Sequence, residues 1–149
     1  MGLIATDVSQ TVEFSLASDQ GDDRTVFMLR PLDMRERAFV TGKLEKGTTI
    51  RGVDDKEDLI VERGVMTPES VVDGTIWAVR LGMCGWRNFL TAAGSPVEVQ
   101  TETISIPGIG TRKVLTEECV LRNFVKVWVD EIGSEILTMS KLAPSQRKN

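Results

Sequence analysis

Residues 11–17 alternate in polarity, with Val12, Phe14 and Leu16 on one side and Thr11, Glu13 and Ser15 on the other. That period of two predicts a strand buried on one face. Residues 18–23 are turn-forming by composition and residues 25–29 are a second apolar run, so together they predict an antiparallel hairpin. Pro31 closes it, because proline has no N–H to offer a continuing ladder. Asp33 followed by Glu36 is a capping-box pattern that opens a short helix carrying Met34, Ala38, Phe39 and Val40, ended by Gly42 or Gly47. From 45 to 65 two readings stay open: short strands at 48–50 and 59–61, or a helical turn in the acidic stretch after Asp54.

The clearest element comes next. Thr67 is a good N-cap, Pro68 suits the first helical position, and Glu69 complements the dipole. Val72, Ile76, Val79, Met83 and Trp86 follow at helical spacing, with Gly85 as a left-handed stop. Residues 92–95 are a connector of small residues. Residues 97–106 and 111–115 read as two strands joined by the turn Pro107-Gly108-Ile109-Gly110. Thr116 caps a last helix, with Glu117 and Glu118 in its first turn. Leu121, Val125, Trp128, Ile132, Ile136 and Met139 form its buried stripe, broadened by Val120, Phe124 and Val129. A stripe that broad covers more than one neighbour, in this domain or the next. The sum is an α+β fold: antiparallel β-hairpins packed with about three α-helices in a single domain, with polar tails at about 1–10 and 143–149.

Composition changes this picture little. The 149 residues suit one domain, and 41% hydrophobic with 27% charged residues is ordinary for a globular chain. A net charge of −4 gives no electrostatic reason to expect nucleic acid or an anionic membrane as a partner. The first 23 residues carry five acids and no Lys or Arg, while Lys141, Arg147 and Lys148 lie in a tail without acids. Unlike ends of this kind suit head-to-tail contact between identical subunits, or are simply solvated. Cys84 and Cys119 sit in apolar, helical-looking stretches, where a free cysteine behaves as a small buried hydrophobe. The start MGLIATDVSQ lacks the basic and apolar regions of a secretion signal, and no run is long enough for a membrane span. A reducing cytosol is the expected compartment. Met1-Gly2-Leu3-Ile4-Ala5-Thr6 matches the myristoylation pattern. No polybasic patch follows to supply a second anchor, so the match is read as coincidence.

Chemistry is bounded chiefly by what is missing. The chain has no histidine and no tyrosine. Ser-His-Asp and Cys-His catalysis in their usual forms, and histidine-containing zinc or iron sites, are therefore excluded. The densest carboxylate cluster, Asp54, Asp55, Glu57 and Asp58, lacks EF-hand spacing and reads as a solvated loop. Gly108-Ile109-Gly110-Thr111-Arg112-Lys113 lacks Walker spacing and reads as a hairpin turn. No catalytic, cofactor-binding or metal-binding residue is assigned, and no cofactor or small-molecule substrate is expected. Two places suit contact with another protein. One is Trp86, Arg87 and Phe89 at the end of the long helix, first as core and second as interface anchors. The other is the hairpin tip, with Ile109 exposed between glycines beside Arg112 and Lys113.

A resemblance adds a context. Phe27-Met28-Leu29-Arg30-Pro31-Leu32 followed by Arg35-Glu36 resembles the opening of small proteins encoded among tailed-bacteriophage morphogenesis genes. Residues 79–89, from Val79-Arg80 through Gly82 and Gly85-Trp86 to Asn88-Phe89, resemble a stretch of the same proteins. So does Gly94-Ser95-Pro96-Val97, with Ser95 where that pattern has asparagine, and so does the close Met139-Ser140-Lys141-Leu142 with Arg147-Lys148-Asn149. The similarity touches 26–36 and 79–149 and leaves 37–78 uncovered. It implies a non-enzymatic virion-assembly protein that is a homo-oligomer, with other phage structural or assembly proteins as partners. One version is a tail assembly chaperone, which keeps a tape-measure protein soluble; the other is a resident neck or tail component. The bacterial host cytoplasm during assembly, or the virion, is the place implied. Two other classes stay open: a phage-encoded effector that binds a host protein, and a histidine-free enzyme using carboxylates, with Asp54, Asp55, Glu57 and Asp58 as first suspects.

Overall fold

The computed structural model describes residues 9–45 and 65–141, together with the backbone of 49–53 and 59–62. The fold is α+β, with four helices rather than about three among the described residues. Strands β1 (Val12–Phe14) and β2 (Val26–Leu29) form the expected first hairpin, with Phe14 opposite Phe27. Helix α1 (Met34–Leu44) starts at the expected capping box, where the Asp33 side chain accepts from the Glu36 N–H and the Glu36 carboxylate accepts from the Asp33 N–H. It runs through Gly42 and ends at Leu44. Strands β3 (Thr49–Val53) and β4 (Leu59–Glu62) pair antiparallel, as the strand reading of the middle segment expects, while the acidic stretch after Asp54, where a helical turn was the other reading, lies outside the described residues. Most of the two expected polar tails lies outside the described residues.

Helix α2 (Pro68–Gly82) is capped by Thr67 as expected, but it stops three residues short of Gly85. Strand β5 (Met83–Arg87) follows without a loop and pairs with β2, completing the sheet order β1-β2-β5. The helical spacing of Met83 and Trp86 was therefore misleading. The cause is non-local: β2 has a second edge to satisfy, and its ladder runs onto the end of the helix, where the Arg30 N–H donates to the Gly82 carbonyl at 2.8 Å. The pairing partners step from Gly85 opposite Met28 to Met83 opposite Leu29, so Cys84 is an extra, bulged residue. Cys84 is consequently exposed, against the expectation of burial, whereas Cys119 is buried.

Strands β6 (Thr101–Ile106) and β7 (Gly110–Leu115) make the second expected hairpin. Its turn uses the two glycines for the backbone conformation they alone adopt freely, with φ of +83° at Gly108 and +107° at Gly110. The last helix is two helices, α3 (Glu117–Asn123) and α4 (Lys126–Lys141). Between them Phe124 is extended, at φ −120° and ψ 141°. Neither glycine nor proline marks this break. Phe124 is placed instead by an aromatic cluster, its ring centroid 5.7 Å from Phe27, 5.6 Å from Trp86 and 5.2 Å from Phe89.

Helix α2 is the hub, packing on α1, α4 and β7. It meets α4 at very close range, because a Cβ on Gly82 would stand 2.5 Å from Cγ2 of Ile136, and one on Gly133 would stand 2.6 Å from Cγ2 of Thr75. The far end of α4 is tied to the β2–α1 junction through Ser140, whose hydroxyl accepts from the Leu32 N–H at 2.8 Å and donates to the Ile136 carbonyl at 2.5 Å. Leu29, Val79, Leu81, Leu115, Ile132 and Ile136 are among the residues sealed inside. No described helix is long and apolar enough to cross a membrane.

Candidate interaction surface

Of the six residues expected to contact a partner, most are engaged within the chain. Trp86 and Phe89 are half-buried and join the aromatic cluster, 5.4 Å apart in an edge-to-face pair. The Trp86 indole N–H donates to the Val97 carbonyl at 2.9 Å. Phe89 also meets Trp128 at 6.2 Å. These rings lie at the end of a strand rather than of a helix, and they knit the sheet to α3 and α4. Arg87 is exposed, and its guanidinium donates to both oxygens of Glu13 at 2.8 and 3.2 Å. That pairing holds the Glu13 carboxyl below its ordinary value, the hydrogen bond being the larger cause and the charge of Arg87 the next.

Ile109 is buried, contrary to the expectation of an exposed tip. Flanking glycines suggested a protruding turn, but the hairpin lies down and presses Ile109 into the core. Arg112 explains how it is held there. Its Nη2 donates to Asp33 at 3.2 Å and its Nε to Glu36 at 3.3 Å. Glu36, 1% exposed, also takes a two-pronged contact from Arg30 at 3.0 and 2.7 Å. Two cations and two carboxylates thus join β2, the start of α1 and β7. Burial pushes the Asp33 carboxyl up, but hydrogen bonds from the Glu36 N–H and from Arg112 outweigh it and hold the group below its ordinary value. Lys113 remains exposed on β7.

Lys113 borders a polar cleft of about 450 Å³ between β5 and β7, together with Arg30 and the bulged Cys84. Although Cys84 is exposed, the neighbouring chain strips enough water from its thiol to raise it above its ordinary value in spite of Arg30. A thiol so held stays protonated and is a poor nucleophile. The acidic suspects Asp54, Asp55, Glu57 and Asp58 lie outside the described residues.

The surface that suits a partner best lies elsewhere. A groove of about 170 Å³ opens between α2, α3 and α4, walled by Val72, Ile76, Val120, Leu121, Phe124 and Val129. Lys126 and Asp130 stand at its rim. Leu121 is 62% exposed and Val125 52%, although the helical stripe placed both inside. The break at Phe124 accounts for the difference. A continuous helix would have kept all six stripe residues on one side; the extended Phe124 turns α3 so that Val120 is buried and Leu121 is not. The only signal of this in the sequence was a stripe too broad for one neighbour. Val127, on the first turn of α4, is exposed as well.

Comparison with known proteins finds no matching family model, no curated protein similar to the chain and no solved structure that resembles it.

Proposed function

We propose that this chain is a non-enzymatic protein of tailed-phage assembly that works by binding other protein chains. The observation that carries the protein-binding part is the apolar groove between α2, α3 and α4 with Leu121 and Val125 exposed beside it. Apolar side chains gathered at a concave surface lose contact with water when a partner covers them, which is the main favourable term in association. The phage setting is supported by the residue patterns at 27–36, 79–89, 94–97 and 139–149, which resemble those of tailed-phage morphogenesis proteins. The lack of histidine and tyrosine, which removes the commonest acid–base groups, weighs against a catalytic role.

Particle production tests the reading. With the coding sequence deleted from the parent phage genome, electron microscopy of the lysate should show particles without complete tails or necks, and infectivity should fall. Normal yields of infectious particles would overturn the assembly role and leave a host-binding effector as the better account. Immunoblotting of purified virions separates the two versions of the role, since a resident component is present in them and a chaperone is not.

A further inference from the structure

We infer that the cleft between β5 and β7 holds a small organic monoanion, a carboxylate on an apolar body of a few carbons, with Lys113 as the group that meets its charge. The inference goes beyond the protein-binding reading and stands on a different part of the molecule. Size is the first observation. At about 450 Å³ the cleft falls among sites that take small molecules, which run to roughly 300–1,000 Å³. Its walls mix Leu81, Met83 and Val99 with Arg30, Thr101 and Lys113. A few polar groups converging among apolar ones orient a ligand that carries both characters.

Charge narrows the class. No Asp or Glu is among the described residues that line the cleft, although the chain as a whole carries a net charge of −4. Arg30 is already committed to Glu36, and with Arg112 and Asp33 that cluster holds two cations and two anions. Lys113 is the excess. Its ammonium makes no hydrogen bond or ion pair among the described residues. Strand alternation and the register set Thr111 and Leu115 beside it on β7 and Thr101, Thr103 and Ser105 beside it on β6, so no acid of the hairpin shares its face. One unmatched positive charge suits a carboxylate, which is singly charged at pH 7. It suits a phosphate group less, since that carries about −1.5 to −2.

The bulge is the third observation. A bulge bends its strand and interrupts the ladder locally, and such features gather beside sites. Here β5 and β7 belong to separate sheets, and the space between them stays open. Cys84 stands at that space as the extra residue. Its thiol is held protonated, so it adds no negative charge to compete with an anion.

Hexanoate is the probe, titrated into the isotope-labelled full chain and followed by amide NMR. The amides of Cys84, Thr101 and Lys113 should shift and saturate, with a Kd on the order of 1 mM. Hexanol keeps the chain without the charge, and acetate keeps the charge with almost no chain. Each of these, and inorganic phosphate, should bind at least about fivefold more weakly. Lys113→Gln should weaken hexanoate about fivefold, the worth of one exposed charge pair. Because the Lys113 ammonium has no partner within the chain, that variant should keep its thermal midpoint within about 2 °C. Lys43→Gln removes a lysine that does not line the cleft and should leave the affinity unchanged. No saturable shift at the three amides up to about 50 mM hexanoate would overturn the inference. So would hexanol, acetate or phosphate binding as tightly as hexanoate, an affinity that survives Lys113→Gln, or one that falls equally with Lys43→Gln.

Discussion

Glu36→Gln tests whether the charge cluster at the head of α1 holds the second hairpin in place. The carboxylate accepts from Arg30 at 3.0 and 2.7 Å, from Arg112 at 3.3 Å and from the Asp33 N–H at 3.0 Å. Glutamine keeps one oxygen, enough for the capping bond and one prong of Arg30. Its amide nitrogen then faces the other prong and Arg112, donor against donor. Two charge-assisted bonds are lost, each worth roughly 1.5–3 kcal/mol. Both guanidinium groups retain some contact with water, the side chains being 18% and 29% exposed, and Arg112 keeps Asp33. Partial solvation and the remaining partner lower the expected cost to roughly 2–3 kcal/mol.

For a chain of this length that cost corresponds to a fall in thermal midpoint of about 4–12 °C. Urea unfolding followed by tryptophan fluorescence should give the same loss from a lower midpoint at unchanged slope. Arg112→Met should cost less in the Glu36→Gln background than in the native one, by about 0.5–1 kcal/mol, because the two residues share a bond. A midpoint shift for Glu36→Gln below about 1 °C would refute the reasoning, since it would mean that the cluster behaves as solvated surface charge.

Two further outcomes follow from the geometry. Gly82→Ala places a methyl 2.5 Å from Ile136, which is sealed in the core, so strain of about 1–3 kcal/mol should exceed the gain in helix propensity and lower the urea midpoint. Stabilisation by this change would show that α2 and α4 are not in close contact. Asp33→Asn should flatten the acid side of the stability profile. The Asp33 carboxyl lies below its ordinary value of 3.8, so its contribution is complete above that pH and is lost as the pH falls through the lower folded value. Unfolding free energies that decline below about pH 4 as steeply in the Asp33→Asn variant as in the native chain would contradict that assignment.

What the sequence made legible was local. The starts of α1, α2 and α3 were readable from Asp33 with Glu36, from Thr67 with Pro68 and from Thr116, because a cap bonds to backbone within its own turn. The turn of the second hairpin was readable because Gly108 and Gly110 adopt a conformation that other residues avoid. The junction of α2 with β5 was not, since the periodicity of Met83 and Trp86 continues the helix and only the distant free edge of β2 overrules it. Nor was the break at Phe124, which depends on Phe27, Trp86 and Phe89 meeting from three parts of the chain. The candidate surface inherited both difficulties. Trp86, Phe89 and Ile109 looked available for a partner and are packed inward or half-inward, while Leu121 and Val125 looked buried and are open.

The half-burial of Trp86 and Phe89 and the exposure of Leu121 meet in one residue. Phe124 leaves helical geometry to fill the aromatic cluster, and in doing so it forms part of the groove and turns Leu121 into the open. The floor of the groove is therefore core: Val120, Phe124 and Val129 are buried before any partner arrives. A surface built this way meets its partner already ordered. Little side-chain or backbone freedom remains to be lost on association, and that loss is a main reason why buried area fails to convert into affinity. The same coupling means that residues far from the partner, Phe27 and Trp86 among them, set the shape it meets. The aromatic residues that suggested an interface in the sequence thus act on it from beneath, through Phe124, rather than by touching what binds there.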